Sequence, residues 1–294
     1  MTNGNSLTQT LGGHWRGRYG TAPCPVCQPE RRSDQDALTI SDGADGRLLL
    51  HCKKLGCAFG DVLAASGIAP GSYAAPDPDL LAQRERERQA EADRKARHAL
   101  SLWHQASSIE GTPGETYLRG RGIICPMPPS LRFHPALRHP SGLMLPAMVA
   151  LVEGADRPAV HRTFLAPDGT GKAQVDPQKA MLGAVAGGAV RLVQAEGALV
   201  VAEGIETALS LASGLLRAPA SIWAALSASG MRGLRLPHTP GDLIVATDGD
   251  QAGRDAGHDL ALRAHKAGWS VSMLHAPDGM DWNDHLRTVE AHHE

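Results

Sequence analysis

Six carboxylates near the C-terminus fall into three short clusters: Glu203 with Glu206, Asp248 with Asp250, and Asp281 with Asp284. Brought into one volume, they would repel one another unless cations sat among them. Oxygen donors with few competing nitrogens favour the hard cations Mg²⁺ or Mn²⁺. Such ions serve chemistry at phosphate, where they offset the charge on the transferring group. The competing reading makes the same acids helix N-caps and first-turn residues, a role that Asp and Glu fill well.

Each cluster follows an apolar run of strand character: Ala198–Ala202, Leu243–Thr247 and Val271–His275. A carboxylate just past a strand lies at the C-terminal edge of an open α/β sheet, where such sheets bind their ligands. Glu203-Gly204 and Asp248-Gly249-Asp250 each open a helical stretch with glycine beside an acid, and glycine lets the backbone approach a ligand closely. Alternation of strand and helix over this region predicts βαβ units and a mainly parallel sheet.

These residues resemble the Toprim domain shared by DnaG-type primases, topoisomerases, OLD-family nucleases and RecR-type recombination proteins. Its pattern is a Glu-Gly after one strand, an Asp-x-Asp after the next and a further acid beyond, matched here at Glu203, at Asp248 with Asp250, and at Asp281 over roughly residues 190–290. The stretch Gly279-Met280-Asp281-Trp282-Asn283-Asp284 is similar to the primase form, in which an acid-rich turn closes the metal site. The resemblance implies that Asp248, Asp250 and Asp281 hold Mg²⁺ or Mn²⁺. It makes Glu203 a further ligand or general base, and Glu206 and Asp284 auxiliary acids.

Four of the five cysteines also group. Cys24-Pro25-Val26-Cys27 is a Cys-x₂-Cys knuckle, and Cys52 and Cys57 follow after 24 intervening residues. Two close pairs joined by a short β-rich segment (residues 37–40 and 47–50) describe a zinc ribbon, in which structural Zn²⁺ lets a small module fold. His51 is an alternative to Cys52 as ligand. Cys125 has no partner and is read as structural. The ribbon resembles the N-terminal zinc-binding domain of DnaG-type and phage primases, with the second cysteine pair two residues wider than in that family. Arg16, Arg18, Arg31, Arg32, Arg47, Lys53 and Lys54 offer it a phosphate-binding face, diluted by acids in the same stretch. Trp15, Tyr19 and Phe59 either stack bases or pack the core.

Between these modules, residues 70–80 read as loop and linker. From Leu80 to about Ser108 a mixed-charge helix with i,i+4 pairs follows, and such a helix ordinarily acts as a solvated spacer. Further on, Glu115 to Ile123 resembles the start of the DnaG-type polymerase core. Residues 143–146, 161–163 and 168–172 are similar to that core's β-rich subdomain, and Gln178-Lys179 to its lysine-containing turn. Leucine replaces phenylalanine before Pro146, and alanine follows Lys179 where that family often has an aromatic residue. The resemblance implies that Arg119, Arg121, Arg162, Lys172 and Lys179 line a groove that holds template and nucleotide. On the residues alone, ordinary surface cations are the alternative.

At 294 residues with net charge −2, the chain is long enough for about two domains and is not a polycation. No apolar run nears the length of a membrane span and no signal-peptide pattern opens the sequence, so a cytoplasmic protein without membrane contact is expected. The expected fold is α+β and multi-domain. A zinc ribbon occupies 1–70, a linker and charged helix 71–112, a basic subdomain of mixed α/β structure 113–190, and an α/β Toprim domain 191–294. That order resembles a primase lacking its helicase. It implies primer synthesis from nucleoside triphosphates on single-stranded DNA, with a separate replicative helicase or initiator as partner and a mobile element as a suitable genetic home. The alternatives are a RecR-like DNA-binding recombination protein and a Toprim nuclease. No tyrosine lies near the acids, since Tyr19, Tyr73 and Tyr117 are all upstream, which weighs against a topoisomerase. No Gly-x₄-Gly-Lys-Ser/Thr loop is present for an ATPase of the kind that OLD proteins carry.

Overall fold

The computed structural model describes residues 3–32, 34–43, 47–69 and 78–291. The chain divides into two compact units, residues 1–90 and 91–294. The linker expected at 70–80 lies, for residues 70–77, outside the described residues.

The first unit opens with helix α1 (Gly4–Thr10), whose N-terminus is closed by a reciprocal capping box between Asn3 and Ser6. Four antiparallel strands follow in the order β1-β2-β3-β4: His14–Trp15, Tyr19–Ala22, Leu38–Asp42 and Leu48–Cys52. Helix α2 (Phe59–Ala65) comes after them. Leu7 of α1 and Leu11 just after it pack with Leu38, Ile40, Leu48, Val62 and Leu63 to form the core. The helix reaches the sheet only because β2 carries Gly20, where a Cβ would sit 2.1 Å from the Thr8 hydroxyl oxygen.

Helix α3 (Pro78–Gln105) runs from the first unit into the second. Its earlier turns carry exposed charge pairs, the expected i,i+4 pair Glu91 with Lys95 at 3.5 Å and an i,i+3 pair, Glu85 with Arg88. The later turns are no solvated spacer. Ala99, Leu102 and Trp103 are buried against Leu137, Val149, Val160 and Phe164, because an apolar stripe at helical spacing runs between the charges.

In the second unit an antiparallel sheet takes the order β5-β6-β7-β8-β9, with strands Ser107–Ser108, Leu131–Arg138, Met144–Val152, Ala159–Phe164 and Lys179–Leu182. Helix α4 (Pro113–Arg119) lies between its first two strands in sequence and is capped by the Thr112 hydroxyl. A second sheet has the order β10-β12-β11-β13-β14. Its strands are β10 (Val190–Val193), β11 (Ala198–Ala202), β12 (Ala220–Ala224), β13 (Asp242–Thr247) and β14 (Ser270–His275). All neighbours in it are parallel except the edge strand β10, as the alternation of strand and helix predicts. The helices are α5 (Ile205–Ser210, continuing into a kinked turn at Leu211–Leu215), α6 (Ala228–Gly233), α7 (Gln251–Lys266) and α8 (Trp282–Ala291). One core runs through both sheets, from Leu131, Met148 and Val152 to Val200, Ala202, Ile222 and Ala246. No described helix is long and apolar enough to cross a membrane.

Candidate active site

Strands β11, β13 and β14 are neighbours, so their C-terminal ends form one edge and the acids that follow them share it. Glu203 follows β11, is half-buried, and accepts a hydrogen bond from the Ala228 backbone N–H. Burial first, and Asp250 second, push its pKa up. Asp248 follows β13 and accepts a long hydrogen bond (3.4 Å) from the Thr207 hydroxyl. Its carboxyl is pushed up to about 7 by burial and by the charges of Glu203, Asp281 and Asp250. Asp250 caps α7 by accepting from Gly253 N–H at 2.7 Å, and Asp281 accepts from Asp284 N–H at 2.8 Å. Capping and clustering are therefore both true of Asp250 and Asp281: each carboxylate holds a backbone N–H and also acts on Asp248.

Backbone contacts clasp the two loops that carry these aspartates. Gly249 N–H donates to Met280 O at 2.8 Å, and Gly279 N–H to Gly249 O at 3.1 Å. The contact requires glycine, since a Cβ at position 249 would lie 1.9 Å from Pro277 O. The Trp282 indole N–H donates to Thr247 O at 3.1 Å. Buried Asn283 donates to Arg121 O at 2.8 Å and to the Ser210 hydroxyl at 2.9 Å. Asp284 is exposed on the first turn of α8.

Glu206 faces elsewhere. Its fully buried carboxylate accepts from the Tyr117 hydroxyl (2.8 Å) and from Lys179 Nζ (3.1 Å), with Lys172 Nζ at 3.6 Å. Burial opposes its ionisation, yet Lys179 and Lys172 hold the carboxyl far below the usual carboxylate range. The sequence expectation set Glu206 as an auxiliary acid of the metal site and the two lysines in a groove facing it. The structure joins the three in one ion cluster, because position 206 in the first turn of α5 turns towards α4 and the β8–β9 segment. His161 of β8, also buried, borders this cluster. Burial and then Lys179 bring its imidazole down to about 4.

The arginines sit differently. Arg119 is tied to Glu115 (3.0 Å) and to the carbonyls of Ile123 (2.8 Å) and Cys125 (3.0 Å), which closes its own turn. Arg121 lies over the Tyr117 ring at 5.8 Å and Arg162 over Phe164 at 5.7 Å. Arg121 Nε, Arg162 Nε and His161 Nδ1 are buried without a hydrogen-bond partner. Sequence reasoning gave no role to His161, Thr207 or Asn283, and it set Tyr117 apart from the acids by its upstream position, whereas the fold brings the Tyr117 hydroxyl onto Glu206. Each acts through tertiary contacts that leave no local pattern.

In the first unit, the Sγ atoms of Cys24, Cys27, Cys52 and Cys57 all lie within 4.8 Å of one another, with Cys27 and Cys52 at 3.6 Å. Such spacing fits four thiolates about one tetrahedral ion, where a metal–sulfur bond of about 2.3 Å separates neighbouring sulfurs by about 3.8 Å. Cys52, at the end of β4, is buried while His51 beside it is exposed on the opposite face, so strand alternation places Cys52, and not His51, with the other three sulfurs. Burial works against the Cys52 thiolate, but the backbone N–H groups of Leu55, Cys57 and Lys54 bring its thiol down to about 6. Burial and the neighbouring sulfurs push Cys27 up to about 12. Buried Gln28, unremarked in the sequence, fixes the knuckle by accepting from the backbone N–H of Cys24 and of Ala37, both at 3.1 Å. Cys125 is buried, with its thiol 3.8 Å from Leu209 O.

Among the described residues this thiol group is the one set of three or more metal-ligating side chains drawn together tightly enough to hold an ion by themselves. The acids interact at longer range. That arrangement suits Mg²⁺, which keeps several waters and is bound by one or two carboxylates together with substrate phosphates.

Comparison with known families matches residues 198–291 to the Toprim domain. Residues 93–192, which lead up to it, match a domain of unknown function, DUF7146. No curated protein matches the chain. Among solved structures, the chain is similar to the zinc-binding and RNA polymerase domains of the Aquifex aeolicus primase, at 15% identity and TM-score 0.41, covering 98% of this chain and 80% of that one. It is also similar to the primase fragment of the bacteriophage T7 primase-helicase protein, at 15% identity and TM-score 0.38, covering 92% and 95%. A DNA primase domain from Pseudomonas aeruginosa aligns at 16% identity and TM-score 0.38, covering 66% and 74%.

Proposed function

We propose that the chain is a primase-type nucleotidyltransferase, which joins nucleoside triphosphates into short primers on single-stranded DNA. The observation that carries this reading is the pairing of charges in the second unit. An edge with four interacting acids, Glu203, Asp248, Asp250 and Asp281, lies beside a partly exposed cationic pair, Lys172 and Lys179, held by buried Glu206. Acids suited to divalent metal and cations suited to phosphate are what phosphoryl-group transfer requires of a protein.

In this reading Asp248, Asp250 and Asp281 hold Mg²⁺ or Mn²⁺, with Glu203 as a further ligand or as the base for the attacking 3′-hydroxyl. Bound there, the ion would neutralise charge on the α-phosphate and on the leaving pyrophosphate. Lys179 and Lys172 orient the triphosphate. Thr207 steadies Asp248 by its hydrogen bond, and the clasp between Gly249 and Met280 keeps Asp281 facing Asp248. Arg121 extends the cationic side towards template and Arg119 chiefly supports the turn after α4, whereas Arg162 faces the other side of its sheet, against Phe164. The four cysteines bind Zn²⁺ and hold the ribbon that selects template. Cytoplasmic location and a separate helicase or initiator as partner belong to the same proposal.

Incubation of the intact chain with mixed-sequence single-stranded DNA, labelled nucleotides and Mg²⁺ or Mn²⁺ tests it. Short labelled oligomers, absent with Asp248→Ala/Asp250→Ala, are expected. Cleavage of the DNA without oligomers would replace this reading with a nuclease, and tight DNA binding with neither product would favour a recombination-type binding protein.

A further inference from the structure

Glu206 is separated from Glu203 by two residues, yet it answers to different partners. Its carboxylate is 5% exposed and takes three contacts, from Tyr117, Lys179 and Lys172. The two lysine side chains keep more exposure, 40% for Lys179 and 23% for Lys172. Lysine is a flexible point charge, and a pair of lysines would separate by mutual repulsion unless an anion lay between them. Lys179 also feels the charge of Glu203. Without Glu206 the nearest acid to attract it would be one from the metal edge. Arg121 adds a further positive charge beside Lys172. On this side the buried Arg121 Nε also lacks a hydrogen-bond partner.

We propose that Glu206 is a positioning residue: its buried carboxylate sets Lys172 and Lys179 side by side at the border of the metal edge, where the phosphates of a nucleoside triphosphate meet them. It takes no part in metal binding. This inference rests on the nucleotidyl-transfer reading and specifies how the cationic half of that site is assembled. Tyr117 braces the carboxylate from α4, so a residue of the segment preceding the Toprim domain fixes the site's geometry.

The test compares the intact chain with Glu206→Gln, which keeps shape and the acceptor for Tyr117 but removes the charge. Expected in primer synthesis is a rise in KM for nucleoside triphosphates of about tenfold or more, with kcat within about threefold. The half-saturating Mg²⁺ concentration stays unchanged. In a Lys179→Met background the same substitution adds less than about twofold, since the two residues act as a unit. An unchanged nucleotide KM with a raised Mg²⁺ requirement would overturn the proposal in favour of a metal ligand. So would full multiplication of the two effects.

Binding of ATP with Mg²⁺, followed by isothermal titration calorimetry, reads the inference without catalysis. If no primers form but Glu206→Gln weakens ATP by about tenfold, positioning stands and the primase reading falls alone. Equal ATP affinity in both proteins overturns positioning. Should Glu206→Gln fail to fold, Tyr117→Phe removes one brace and leaves the charge in place. It is expected to raise the nucleotide KM about two- to fivefold at constant kcat, and no change in KM counts against the inference.

Discussion

Asp248 is held in a place that disfavours its own ionisation, by burial and by three neighbouring acids. Because its pKa rises on folding, from 3.8 to about 7, the folded state binds the extra proton between those values, and stability falls as pH climbs through that window. Asp248→Asn removes the penalty. In metal-free buffer at pH 8 this variant is expected to be more stable than the parent by about 1–2 kcal/mol, a figure reduced for partial exposure. Added Mg²⁺ narrows the gap. Denaturant melts with and without Mg²⁺ check this, and a variant less stable than the parent in metal-free buffer would contradict it. His161 works in the opposite sense. Its folded pKa is depressed from 6.5 to about 4, so the unfolded chain takes up the proton and stability is lost as pH falls from 6.5 to 4. The shift corresponds to about 3 kcal/mol across that window, and His161→Gln should flatten the profile there by a similar amount. Glu206, held low by Lys179 and Lys172, adds its own loss only below about 4.5. A pH profile equal in parent and His161→Gln would show that His161 is not buried neutral.

At the scale of elements, the site depends on two loops meeting at Gly249. Gly249→Ala forces the turn at residues 277–280 away, since its Cβ would overlap Pro277 O and crowd Met280 O. A stability loss of about 1–3 kcal/mol is expected, as for other overpacked positions, with a larger proportional loss of activity because Asp281 moves off Asp248. Equilibrium unfolding beside a primer-synthesis assay measures both, and parent-like values in the two would refute the clasp. The strands β11 and β13 were legible because each is a short apolar run ending at an acid, and β14 because its apolar run precedes the acid-rich turn by a few residues. The pairing order β11-β13-β14 and the strands β10 and β12 were not, since hydrogen-bonding order follows from long-range packing. The charged helix was legible as a helix, but its glutamates and arginines concealed the stripe at Ala99, Leu102 and Trp103. For Glu206 the residue type suggested a metal ligand, and only the tertiary approach of Lys172, Lys179 and Tyr117 reveals its different environment.

For the whole molecule, division into two units implies separable responses to metal. The first unit has a small core with four thiols at its margin, and modules of that kind gain much of their folding free energy from the ion. A zinc chelator is expected to remove a distinct unfolding transition belonging to the first unit, and to leave near-parent the transition of the second. Calorimetry with and without chelator tests this, and a single unshifted transition would rule out metal-dependent folding of the ribbon. The central claim concerns the acidic edge after β11, β13 and β14, and it is tested most directly by oligomer yield on single-stranded DNA as Mn²⁺ is titrated, for the intact chain and for Asp248→Asn. The account predicts yield that rises with Mn²⁺ in the intact chain and is lower by about a thousandfold in the variant at every concentration, the scale of losing a metal's several kcal/mol of charge stabilisation. Equal yields from the two proteins would contradict it.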